Sequence, residues 1–320
     1  MKTNAIIRII LLSLALVLLV SILLGVLVFN MLIVDGSIHF QNEADTVEPL
    51  AVATAEAYDA QITNLDIEWV AGSITIQTSD TISEIQIEEV TPVASDYQMV
   101  CNQYGQTLKI QYCNESNKYR LIGINDNDAD IKDLTITVPA SWNCASLEID
   151  AAATEVTVTG LSVNELDFDG ASGKLILENC NIVDLDIDTA SGDVEFSGNL
   201  NTLDFDAVSA KFHGEIHCIP EQLDLDAMSG DMTIVLPESC GFYMEKETMS
   251  GSFDSDFDFH TTGAHYECGD GACKIKINAL SGDVCIYKGV SNHSGDAWHH
   301  PETDHTAKST EHHSEEKNHK

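Results

Sequence analysis

Three groups of side chains in this sequence have the type and spacing to do chemistry. The first is a series of acids at repeating positions: Glu148, Asp167, Asp186, Asp204 and Asp224, with Asp150, Asp169, Asp188, Asp206 and Asp226 as a companion series. Carboxylate oxygens are the ligands calcium takes at ~2.3–2.6 Å, and paired acids are also the machinery of glycosyl transfer. The second is a set of histidines, His299, His300, His305, His312 and His313, with Glu302, Asp304, Glu311 and Glu315 nearby. Neutral imidazoles suit zinc, copper or nickel, and such binding weakens as the rings protonate. The third is Cys268 and Cys273 around Gly269-Asp270-Gly271-Ala272. A two-residue Asp-Gly turn there would set the two thiols opposite each other, within disulfide reach. Cys101 and Cys113 flank a hairpin and invite the same reading. The sequence contains no Cys-x-x-Cys, Gly-rich phosphate loop, Gly-x-Ser-x-Gly or His-Glu-x-x-His.

The acids are positioned by a repeat. Leu147-Glu148-Ile149-Asp150, Leu166-Asp167-Phe168-Asp169, Leu185-Asp186-Ile187-Asp188, Leu203-Asp204-Phe205-Asp206 and Leu223-Asp224-Leu225-Asp226 begin 19, 19, 18 and 20 residues apart. Each is followed by a small turn, such as Ser172-Gly173, Ser191-Gly192 or Ser229-Gly230, and a second short strand. Further copies run through Ser250-Gly251 and Ser281-Gly282. Two strands and small turns in 18–20 residues make one coil of a β-solenoid. The alternative is a flat array of independent hairpins.

Coils stacked at ~4.8 Å bury the Leu, Ile and Phe positions in one core and turn the acids outward. Neighbouring carboxylates ~5 Å apart repel by roughly 0.8 kcal/mol in water-like dielectric. This repulsion is expected to raise their pKa values. The ladders are then either bridged by calcium or a solvated acidic face. The position after the glycine reads Lys174, Asp193, Lys211, Asp231, which predicts stacked opposite charges. Ala171, Ala190, Val208, Met228, Met249 and Leu280 precede the serine and are expected to point inward. Ala210 stands where a glycine is expected, so Ala210→Gly should stabilise if that corner needs positive φ.

Before the repeat, Leu65–Glu68, Gly72–Ile76, Glu84–Glu88 and Leu134–Pro139 alternate as strands, and Tyr97–Cys101 with Thr107–Cys113 reads as a hairpin. Residues 9–34 carry no charge, and Ile9–Phe29 makes a helix of roughly 32 Å, long enough to span a bilayer. The run is too long for a secretion signal, and no small-x-small site closes it. Lys2 and Arg8 precede it while Asp35, Glu43 and Asp45 follow, which sets the N-terminus in the cytoplasm. The expected organisation is a cytoplasmic N-terminus (1–8), a single-pass transmembrane anchor (9–34), a linker (35–60), an all-β repeat ectodomain (61–289) and a disordered histidine-rich tail (290–320). Lysine and arginine total 15 against 52 acids, for a net charge of -37, and so acidic a body excludes nucleic-acid binding.

The leucine alternation followed by Ser191–Val194 and Ser281–Val284, with the Leu134–Pro139 strand, resembles a bacterial β-strand-repeat family labelled "putative adhesin", a domain of unknown function. Some members belong to Gram-positive envelope-stress systems. The resemblance covers about residues 50–289 and implies an extracytoplasmic solenoid-like domain behind a membrane anchor, with no established activity. Three functions follow from these readings. One is a non-enzymatic envelope protein offering a lateral face to an envelope protein or wall polymer. Another is Ca2+ or Zn2+ binding through the histidine tail and the Asp ladders. The third is a carbohydrate-active β-helix enzyme, disfavoured because the acids recur in every unit rather than gathering at one place.

Overall fold

A strand whose acids alternate with Leu, Ile or Phe can bury only one face, and here that face is buried against copies of itself. The structure, a computed structural model, describes residues 52–59, 61–91, 98–113 and 132–289. All sixteen elements there are strands. They are β1 (Val52–Asp59), β2 (Asn64–Ser79), β3 (Glu84–Thr91), β4 (Val100–Tyr104), β5 (Thr107–Gln111), β6 (Lys132–Pro139), β7 (Cys144–Thr159) and β8 (Ser162–Ile216). The chain continues through β9 (Gln222–Ser229), β10 (Met232–Pro237), β11 (Phe242–Ser250), β12 (Phe253–Ser255), β13 (His260–Thr262), β14 (His265–Cys268), β15 (Cys273–Ser281) and β16 (Val284–Gly289). The expected anchor at 9–34 and the histidine tail lie outside the described residues. Among the described residues no helix is long and apolar enough to cross a membrane.

The pairing is that of stacked coils, not of side-by-side hairpins. β2 pairs β7 in parallel with Leu65 on Leu147 and Ile74 on Val156, and β7 pairs β8 with Leu147 on Leu166 and Val156 on Leu175. Within β8 the chain winds on, and Leu203 comes to lie on Leu223 of β9. Leu166, Phe168, Leu185, Ile187, Leu203 and Phe205 are all at most 5 % exposed, so the apolar positions form one continuous core. On the return side of each coil Cys180, Ile182 and Leu200 close it. Asn199 there donates to Asn181 at 2.7 Å, and Asn181 donates to Ser162 at 3.2 Å.

The Ser-Gly corners explain themselves in the same geometry. Gly230 has φ of +140°, and a Cβ there would lie 1.7 Å from the Ala210 carbonyl oxygen of the preceding coil. Only glycine allows both the backbone angle and the approach. The serine hydroxyls reach down as well: Ser172 donates to the Ala152 carbonyl at 3.2 Å and Ser191 to that of Ala171 at 3.4 Å. Ala210 is absent from the residues with positive φ, so its corner has ordinary backbone angles and the expected gain from glycine is withdrawn.

Two further expectations are corrected. The residues before the serine do not point inward: Met249 is 67 % exposed, Ala171 is exposed, and Val208, Met228 and Leu280 are half-buried. The period of two runs one step further than the sequence reading allowed. The inward positions are therefore Ala151, Thr189, Ala227 and Ala279, small enough for the bend. Strand pairing also starts before residue 61, because β1 lies within the expected linker and pairs antiparallel with β3.

Finally, coils at both ends depart from chain order. β15 lies between β9 and β11, so residues 273–289 slide between two coils that precede them in sequence. At the other end β5 and β6 pair the far side of β2 from β7. In each case the displaced outer coil carries antiparallel strands, β3 and β4 at one end and β14 with β13 at the other. A strand with an antiparallel partner on its outer edge has no room for another parallel coil, and so it must come last.

Candidate functional site

The register turns the sequence-predicted acids into two columns on one sheet face. Glu148 stands on Asp167 and Asp204 on Asp224, while Asp186 interacts electrostatically with both Asp167 and Asp204. Asp167, Asp186, Asp204 and Asp224 are thus brought together as expected. The companion column runs through Asp150, Asp169, Asp188, Asp206 and Asp226. Both columns are longer than the repeat suggested, since Asp66 stands under Glu148 and Glu68 under Asp150.

Each column ends on a residue that neutralises or bonds it. Lys109 pairs Asp66 at 2.9 Å and Glu68 at 2.6 Å, and at the far end Lys276 pairs Asp224 at 2.9 Å. In the second column Gln111 donates to Glu68 at 3.4 Å and Asn278 donates to Asp226. Burial alone would lower the two lysines, but their acid partners outweigh it and hold both above the usual range. The signal for these caps was present in sequence. Leu108-Lys109-Ile110-Gln111 and Ile275-Lys276-Ile277-Asn278 share the apolar grammar of the repeat, with lysine and an amide in place of the two acids.

Between the caps the carboxylates crowd. Asp167 and Asp206 are pushed up to about 6, first by burial among their neighbours and then by the adjacent carboxylates. Glu148, Asp150, Asp188 and Asp204 are raised for the same two reasons in the same order. Mutual repulsion is therefore real but second to desolvation. Asp226 is raised too, by burial, although Asn278 and Lys276 oppose it. Among the described residues no group of three or more His, Cys, Asp or Glu side chains converges as a metal site. The columns offer oxygens in pairs on an open sheet, so a calcium ion here would bridge two rungs and keep water as its other ligands. His299, His300, His305, His312 and His313, the residues proposed for zinc, lie outside the described residues.

The Ser-Gly edge forms a second feature, an open groove of about 400 Å³ lined by Asp193, Ser209, Lys211, Ser229, Asp231 and Ser281, among others. The alternation of charge expected along it is not used for pairing. Lys174 instead pairs Glu195 at 2.8 Å, and among the described residues Lys211 makes no ion pair.

The proposed Cys268–Cys273 bridge is contradicted. The segment does not close as a hairpin: β14 and β15 pair opposite edges of β11, so both cysteines align with Phe242 from either side. Two strand spacings, ~10 Å, separate them, beyond disulfide reach. Cys101 stands opposite Ile110 rather than Cys113. Cys180 and Cys218 are inward-facing thiols that donate to the Val158 and Leu200 carbonyls of preceding coils, at 3.4 and 3.2 Å.

Parallel coils with one apolar core and antiparallel strands at each end define an all-β, solenoid-like repeat protein. The Toastrack DUF4097 family model matches residues 62–287, and the chain belongs to that family. Among solved structures, the chain is similar to a "putative cell adhesion protein" from Clostridium sporogenes, at 12% identity and a TM-score of 0.37, covering 75% of this chain and 100% of that one. It is similar also to a "putative adhesin" from Bacteroides fragilis, at 14% and 0.42, covering 75% and 100%. A third is a "putative lipid binding protein" from Parabacteroides distasonis, at 16% and 0.31, covering 75% and 97%. No curated protein matches the chain.

Proposed function

We propose that the chain is a non-enzymatic protein of the cell envelope, anchored by residues 9–34, whose acidic sheet face binds a partner carrying spaced positive charges. That partner is an envelope protein or a wall polymer. The observation that carries this reading is the pair of in-register acid columns from Asp66 and Glu68 to Asp224 and Asp226. They run roughly 24 Å along the stack at ~4.8 Å per rung. Acids that recur in every coil, instead of converging once, suit an extended ligand better than a bond-breaking step. A field of one sign also steers an oppositely charged partner and weakens with salt.

The test is binding of full-length protein to a lysine homopolymer, a glutamate homopolymer and a neutral dextran at low and high salt. Binding to the lysine polymer alone, lost at high salt and in an Asp167→Asn, Asp186→Asn, Asp204→Asn variant, supports the reading. Equal binding by that variant overturns it. Protease added to whole cells tests the location: an ectodomain that survives intact contradicts an outward face. A second reading, divalent cations held between rungs, draws on the raised carboxylates. It predicts that millimolar calcium raises the melting temperature, and an unchanged melt at low salt rejects it.

A further inference from the structure

The nine cysteines do not share one environment. Cys144, Cys180 and Cys218 each hydrogen-bond a backbone carbonyl and need nothing else. Cys240 also donates to a backbone carbonyl, that of Gly241 at 3.7 Å, but it and Cys273 differ from the others in that their two free thiols are in addition side-chain partners of each other. They are 2 % and 0 % exposed. The backbone holds them there: the Cys273 amide donates to the carbonyl of Gly241, the residue after Cys240, at 3.0 Å, and Cys273 is in register with Phe242. Cys268 lies on the other edge of β11, in register with Phe242 from the opposite side to Cys273.

We propose that Cys240 and Cys273 are a disulfide pair that clasps the displaced C-terminal coils. Residues 241–272 between them make up the outermost coil and its antiparallel cap, β11 to β14. Cys273 opens the strand that must slip between that coil and the one before it. A bond at this point joins the start of the outer coil to the start of the inserted one, so that neither can leave without the other.

The oxidant is a disulfide, small-molecule or protein, of the form R–S–S–R. The Cys240 thiolate attacks one of its sulfurs and releases one thiolate of the donor. The Cys273 thiolate then attacks the Cys240 sulfur of the mixed disulfide and releases the second. The cysteine pair loses two electrons, the donor is reduced to two thiols, and the two cysteine protons go to the released thiolates. Because both sulfurs are buried, the exchange belongs to folding, before the inserted coil docks. Once formed, the bond is shielded from reductant.

The experiment refolds the full-length chain in oxidised and reduced glutathione, alkylates it under denaturing conditions without reduction, and maps the digest by mass spectrometry. A linked Cys240–Cys273 peptide is expected, along with a melting temperature several degrees above that of the reduced chain. The linkage should persist in Cys268→Ser and vanish in Cys273→Ser. Recovery of Cys240 and Cys273 as alkylated free thiols overturns the proposal. So does linkage of either one to Cys268, or loss of the bridge in Cys268→Ser.

Discussion

At the N-terminal end of the stack a lysine and a glutamate, Lys132 and Glu89, are both buried to 0 % and paired with each other. The Lys132 ammonium also donates to the Tyr112 carbonyl at 2.6 Å and sits 4.2 Å from the centre of the Tyr112 ring. Glu89 accepts from the Met99 amide at 3.0 Å, so the pair ties together three segments that are distant in sequence. The C-terminal end has a larger cluster of rings in the place of that buried ion pair. Phe253, Phe259 and Tyr266 meet with centroids 5.0–5.7 Å apart, and Phe242 meets Phe257 edge-on at 5.4 Å. Both ends halt the same parallel stack with antiparallel strands. The first does so through directional bonds that accept only one arrangement, the second through packing that tolerates change.

The largest effect should follow from breaking the buried pair. Lys132→Ala leaves an unpaired carboxylate in the core and should cost about 3–5 kcal/mol in a denaturant melt. Phe259→Ala at the other end, where the ring is only half-buried, should cost about 1–2 kcal/mol. Replacing both partners, as Lys132→Met with Glu89→Leu, should recover most of the loss. Equal losses at the two ends would erase the distinction between them.

The middle of the stack gives a control that belongs to neither end. Gly230→Ala should destabilise by about 3 kcal/mol, from the left-handed backbone angle and the contact with Ala210. Ala210→Gly, one coil below, should lose only about 0.5–1 kcal/mol through backbone entropy. A stabilised Ala210→Gly chain would show that this corner does need glycine.

A further effect is that of pH. Asp167 and Asp206 titrate at about 6 when folded and near 3.9 when unfolded. Between those values the folded chain binds more protons, so stability should rise as pH falls from about 6 toward 4 and then level off. Asp283, whose carboxyl is held low by the Ser252 amide and hydroxyl, opposes this only below the window. A melting temperature that falls steadily from pH 6 to pH 4 would mean that the columns are not the dominant titrating groups. Asp186→Asn should flatten the rise slightly, by relieving its neighbours on both sides.

How much of this was readable in advance depended on whether a residue's role is local. Alternation in Leu166-Asp167-Phe168-Asp169 names the strand, the buried side and the acidic side at once, because side chains in a strand point to opposite faces in turn. The constant spacing brings successive acids into line, and the Ser-Gly pairs mark the corners. The lysine caps carried the same grammar in Leu108–Gln111 and Ile275–Asn278, but two isolated copies do not announce which coil they will touch. Cys268 and Cys273 misled because a short loop looks like a turn, whereas β11 passes between them.

What the chain determined by itself, then, was the coil: its length, the buried Leu, Ile and Phe of its strands, its glycine bends and its outward charge. What only the tertiary structure decided was the order in which coils stack, which lysine ends which column, and that Lys132 meets Glu89. The physical reason is that every coil presents nearly the same edge to its neighbours. Hydrogen bonds between parallel strands do not tell one coil from another, and the choice falls to side chains that meet only after the chain has closed on itself.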